Sequence, residues 1–84
     1  VSGEGNPDLH LEDIPCANHP QLVGKTLAEL EIRSHTGVLV VGYQRKDGHV
    51  QLNPQAGAKI DAQDRLFVMG TTPQLRKFRE LYLD

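Results

Sequence analysis

The stretch Gly37 to Pro54, GVLVVGYQRKDGHVQLNP, decides the fold of this chain. A Val-rich apolar run meets Asp47-Gly48, the dipeptide that supplies the positive φ angles of a two-residue type I′ turn, so the stretch reads as a β-hairpin. That turn sets an antiparallel register: Lys46 opposite His49, Arg45 opposite Val50, Gln44 opposite Gln51, Tyr43 opposite Leu52 and Gly42 opposite Asn53. On this register Leu39, Val41, Tyr43, Val50 and Leu52 share an apolar face. Gln44, His49, Gln51 and Asn53 take the other, with Val38 and Val40 continuing it deeper in the sheet. Arg45 closes the apolar face near the turn, where its charge must reach water or meet an anion.

Upstream of the hairpin, Thr26-Leu27-Ala28-Glu29 is a capping box, in which the Thr oxygen accepts from the third helical amide and the Glu carboxylate accepts from the cap amide. A short helix starts there, with Leu27, Ala28, Leu30 and Ile32 on one side, and Gly37 frees the chain to enter the hairpin. Cys16 to Gly24 is a loop, and Leu9, Leu11 and Ile14 form an edge strand that Pro15 stops. Residues 1–8, VSGEGNPD, have a linker or tail composition, leaving 9–84 as the folded domain. Downstream, Asn53 to Asp64 is a loop that pins Ile60 into the core. Arg65 to Gly70, RLFVMG, reads as a central strand buried on both faces. Thr72 and Pro73 open a last helix as N-cap and first residue, with Leu75, Phe78 and Tyr82 inward and Leu81 alongside.

An 84-residue chain makes one small domain that buries about 60% of its unfolded surface, so help from a partner chain is expected. Nine Lys and Arg against eleven Asp and Glu give a net charge of −2, which argues against nucleic-acid backbones and anionic membranes as partners but leaves room for one small anion. The single Cys fits a reducing compartment, and no apolar run is long enough for a membrane span. The start at Val1 rather than Met reads as a piece of a longer chain.

The candidate chemistry is sparse. Cys16 and His19 have the spacing of half a metal site, with His10 in reach, but four ligands are needed and no second Cys exists, so no metal is expected. Cys16 has no separated base to serve it as a nucleophile. The glycines never precede a helix in a phosphate-cradle spacing. The acidic pairs Glu12-Asp13 and Asp61 with Asp64 sit at strand ends and loops as capping or solvated groups. Arg45 stands out, because a guanidinium fork suits phosphate, with Asn53 and His49 as neighbours.

With these residues in place, the chain resembles the C-terminal lobe of the RCK (regulator of K⁺ conductance) module, the TrkA-C domain, over roughly Leu9 to Leu83. The resemblance rests on LHLEDIP, LVGKTLAEL, TGVLVVGYQRKDGHVQLNP, IDAQDRLFVMGT and the closing helix, in that order. Gln63 stands where the family usually has a Gly before Asp64. The resemblance implies an α+β fold, a small mixed β-sheet with a central β-hairpin and a C-terminal capping helix, paired with a second copy. It also implies a non-enzymatic, cytoplasmic regulatory domain at the inner face of the plasma membrane, sensing a ligand and gating a K⁺ or other monovalent-cation channel, uptake system or antiporter through a parent or partner membrane subunit. The alternative is a purely structural dimerisation lobe, and a small enzyme is the third class.

Some members bind cyclic di-AMP between two subunits. The positions that match their pattern are Val40, Val41, Arg45, Asn53 and Pro54. Tyr43 stands where an aliphatic residue is commoner and could stack on an adenine, and no His directly precedes Asn53. Each phosphate of the ligand would meet Arg45 of one subunit. Leu39, Val41, Tyr43 and Leu52 are the expected homodimer contacts, and no cofactor is expected in this fragment beyond such a nucleotide.

Overall fold

A computed structural model describes residues 8–84. The first seven residues of the expected tail lie outside the described residues, whereas Asp8 is tied down: its carboxylate accepts from Thr72 N at 3.0 Å and Thr72 Oγ1 at 2.7 Å. Strand β1 spans His10–Pro15, α1 Leu27–Leu30, α2 Ile32–Thr36, β2 Leu39–Gln44, β3 Val50–Leu52, β4 Arg65–Gly70 and α3 Thr72–Phe78, which runs on into a π-helical turn, Arg79–Leu83. The strands form one sheet in the order β1-β4-β2-β3, so β1 is the expected edge and β4 is interior. The α+β class is as expected, but every pairing is antiparallel rather than mixed.

Both helix starts are set by side chains. The capping box at Thr26 and Glu29 forms as read, with Glu29 N donating to Thr26 Oγ1 at 3.1 Å and Thr26 N donating to Glu29 Oε1 at 2.9 Å. The helix then breaks at Glu31, which adopts a left-handed φ of 51°. Leu30 and Ile32 lie two residues apart, a spacing that puts them on opposite sides of an unbroken helix; the left-handed residue between them lets both be buried. Ala28 stays exposed. The cap of α3 is Thr71 rather than Thr72, because Gln74 sits three residues beyond it and completes a second capping box, which moves Pro73 to the second helical position.

The hairpin differs from its sequence reading by one residue. Arg45 N donates to His49 O at 2.8 Å and Gly48 N to Arg45 O at 2.9 Å, so Lys46-Asp47-Gly48 form a three-residue loop. Gly48 has φ 95°, whereas Asp47 is not among the residues with positive φ. This is a type I turn closed by a left-handed glycine, where a type I′ turn needs two left-handed residues. The pairs become Gly42 with Leu52, Tyr43 with Gln51 and Gln44 with Val50.

A bulge between Val40 and Gly42 then reverses the alternation along β2. Val40 pairs with buried Val68 and Tyr43 with buried Leu66, and both pack on the core. Leu39 pairs with Met69 and Gly42 with Phe67, facing the opposite way. Leu39 and Tyr43 therefore do not share a face, as the simple alternation had it. Gly42 is required where β3 crosses closely, since a Cβ there would lie 2.5 Å from Gln51 O.

One face of the sheet carries the core: Ile14, Leu66 and Val68 meet Ile32, Leu75 and Phe78, and Ile60 is pinned as expected. Tyr82 closes it, its hydroxyl donating to Leu30 O at 2.6 Å. Among the described residues nothing covers the other face, so β4 is not buried on both sides there; Phe67 and Met69 are half-buried. Leu11 and Leu52 on that face are 61% and 62% exposed.

Candidate functional site

Strand β3 is too short to pair along the whole of β2. It ends at Leu52, opposite Gly42, and among the described residues leaves Leu39 to Val41 without a strand partner on that side. The chain turns away at Asn53, whose amide donates to Val41 O at 2.8 Å and whose φ is 50°. The loop that follows is held against α1, with Ala28 N donating to Ala56 O at 2.9 Å and Leu27 N to Ala58 O at 3.1 Å. Between this loop, the two helices and the unpaired edge of β2 lies a groove of about 460 Å³. Leu27, Ile32, Val38, Leu39, Val40 and Pro54 give it apolar walls, and Glu31, Arg33, Ser34 and Asn53 give it polar groups.

Among the described residues, Glu31 and Asn53 are the non-glycine residues with positive φ, and both line this groove. Such conformations cost of order 1 kcal/mol or more each and collect at ligand clamps.

The groove brings together three of the expected ligand residues, Val40, Asn53 and Pro54, with Leu39 beside them. Val41 is the half-buried residue of the bulge. Tyr43 lines a separate hollow with Gln51 and Gln55, and Arg45 lines a third, of about 730 Å³, with Asp61 and Asp64. The expected site is thus divided.

Arg45 has met its anion within the chain. Its Nη1 donates to Asp64 Oδ2 at 2.6 Å, to Asp61 Oδ2 at 3.0 Å and to Lys59 O at 3.2 Å. The guanidinium carbon lies 4.2 Å from the centre of the Tyr43 ring, a cation–π contact. Burial alone would lower the Arg45 pKa; the charges of Asp64, Tyr43 and Asp61 outweigh it and leave the net shift upward. Asp64 is 2% exposed, so this pair is a structural strut under the hairpin.

Sequence reasoning missed Arg33. It lies on α2, exposed, one residue after buried Ile32, and no carboxylate pairs with it among the described residues. The nearest signal was that exposed position beside an apolar anchor. Glu31, the other charge on the groove, lies 3.4 Å from His35 Nε2. Cys16 is fully buried, and burial first, then the charges of Asp64 and Asp13, push its thiol up to about 11. His19 is drawn to the C-terminus instead, Nδ1 donating to Leu83 O at 3.2 Å. Among the described residues no three His, Cys, Asp or Glu side chains are grouped as metal ligands, and no helix is long and apolar enough to cross a membrane.

A four-stranded sheet with helices on one face and a groove at its edge defines a small α+β module. The model of the TrkA-C domain family matches residues 11–83, and the chain belongs to that family. It is 40% identical over 58 residues to an uncharacterized transporter of Rhodopirellula baltica, covering 69% of this chain and 10% of that protein. The chain thus spans about a tenth of that relative.

Among solved structures, the RCK C domain of the potassium transport protein KtrA, in complex with cyclic di-AMP, superposes with TM-score 0.77 at 16% identity, over 88% of this chain and 84% of that one. An RCK_C domain dimer of S. agalactiae BusR, also in complex with cyclic di-AMP, gives TM-score 0.74 at 20% identity, over 88% and 90%. BusR in complex with its promoter DNA matches as well, over 37% of that chain.

Proposed function

We propose that this chain is a non-enzymatic regulatory lobe of a channel or transporter for K⁺ or another monovalent cation, which as a homodimer senses a small anionic nucleotide and shifts the transport assembly between two states. The observation that carries the reading is the edge groove: apolar walls, an asparagine and an arginine meet there, and both left-handed non-glycine residues of the described chain sit on it. Two fold neighbours hold cyclic di-AMP, one as a dimer and one from a potassium transport protein, which makes that nucleotide the first ligand to test. Its two-fold symmetry suits a pair of equivalent grooves. On this reading residues 9–84 are the functional unit. They work in the cytoplasm at the inner face of the plasma membrane, held there by a parent or partner subunit.

The uncovered sheet face favours a second reading, a structural dimerisation lobe that binds no ligand. Thermal unfolding with cyclic di-AMP separates the two. A ligand at 100 times its Kd adds ~2.7 kcal/mol, which raises the midpoint by roughly 10–20 °C for a domain this small. An unchanged midpoint at millimolar ligand leaves the structural reading, and turnover of a substrate would overturn both.

A further inference from the structure

We propose that Arg33, rather than Arg45, is the cation that holds the anionic group of a nucleotide in the edge groove; this rests on the ligand-sensing reading above. The two arginines differ in what already occupies them. Arg45 is shared by the carboxylates of Asp61 and Asp64, and Asp64 is 2% exposed. An incoming phosphate would have to compete with those carboxylates and leave a buried charge uncompensated, which is strongly unfavourable. Arg45 also lines a different hollow from Val40, Asn53 and Pro54.

Arg33 lies on the same groove as those residues and has no carboxylate partner among the described residues. Its fork can take two phosphate oxygens at once without breaking an internal contact. The rest of the groove fits the other parts of a nucleotide. Val40 and Pro54 offer a base an apolar seat, and the Asn53 amide supplies a donor and an acceptor for a base edge. The volume of about 460 Å³ lies within the range of small-molecule pockets, enough for half of a cyclic dinucleotide.

The test is calorimetry with cyclic di-AMP on the 84-residue chain, with amide chemical-shift mapping alongside. Wild type should bind, with shifts at Arg33, Val40 and Asn53. Arg33→Ala should weaken binding about 10- to 100-fold, the range expected for one charged hydrogen-bonded contact. Its melting temperature should not change, because no folded-state partner is lost. Arg33→Lys should recover part of the affinity, and Arg76→Ala, which removes the same charge from an exposed site on α3, should leave it intact. Wild-type binding that survives Arg33→Ala within a factor of two overturns the proposal while leaving the sensing reading in place. Wild type that gives no heat or shift changes at millimolar ligand overturns the sensing reading and this proposal with it.

Discussion

Arg45→Ala should be among the most destabilising single changes available in this chain, and by a mechanism that its partial exposure conceals. The Arg45 side chain is 28% exposed but its partner Asp64 is 2% exposed, so the cost lies in the carboxylate left behind. Asp64 Oδ2 would keep only the Asp61 amide at 2.8 Å, and Oδ1 has no hydrogen-bond partner among the described residues. Removing one partner of a buried pair costs ~3–5 kcal/mol, and the solvent access of Arg45 places the expectation at the lower end, about 3 kcal/mol. For a domain of this size that lowers the melting midpoint by roughly 12–24 °C. Urea unfolding of wild type, Arg45→Ala, Asp64→Asn and the double variant gives the coupling directly. The double variant should be more stable than Arg45→Ala, because neutralising the orphaned carboxylate removes most of the penalty. A cost below about 1 kcal/mol for Arg45→Ala, or additivity of the two changes, would refute the strut.

Three further outcomes follow from the geometry. With its pKa raised to about 11 by burial, Cys16 should resist alkylation in the native chain at pH 8 and react at once in urea; fast native labelling would contradict its place in the core. Asp8 lies below its ordinary value of 3.8, first through the Thr72 hydroxyl, then the Thr72 amide, then His10. A depressed carboxylate stabilises the fold above the unfolded pKa and loses that contribution as pH falls through the lower folded value, so the Thr72 amide resonance should titrate with its midpoint below pH 3.8. The uncovered face carrying Leu11, Leu39, Leu52, Phe67 and Met69 should be the homodimer contact, so Leu52→Lys should shift sedimentation toward monomer without lowering the stability of the monomer. Wild type that sediments only as monomer at high micromolar concentration would exclude it.

What the sequence made legible was local. The Thr26–Glu29 box, the edge strand stopped by Pro15 and the inward stripe of Leu75, Phe78 and Tyr82 follow from residue type and spacing within one element, and each stands in the structure. The site was less legible because it depends on two choices that residue type leaves open. Asp47-Gly48 satisfies either a two- or a three-residue turn, since both need a left-handed Gly48, and they differ in the conformation of Asp47 and in whether Lys46 belongs to the strand or to the loop. The bulge at Val41 has no marker in a run of Val and Leu, yet it decides whether Leu39 and Tyr43 share a face.

Arg45 illustrates the consequence. A guanidinium at the end of an apolar strand does require an anion, but the nearest is Asp64, nineteen residues further along the chain and brought in by the turn that precedes β4. Charge demand is visible in sequence, whereas the address of the partner is a property of the fold. Arg33 is the converse case. Nothing in the helical sequence EIRSHT, residues 31–36, singles it out, and it gains its place on the groove because Glu31 breaks the helix and β3 stops short along β2. An arginine with no carboxylate partner among the described residues, beside the edge that β3 leaves open, is therefore a feature that only the assembled chain reveals.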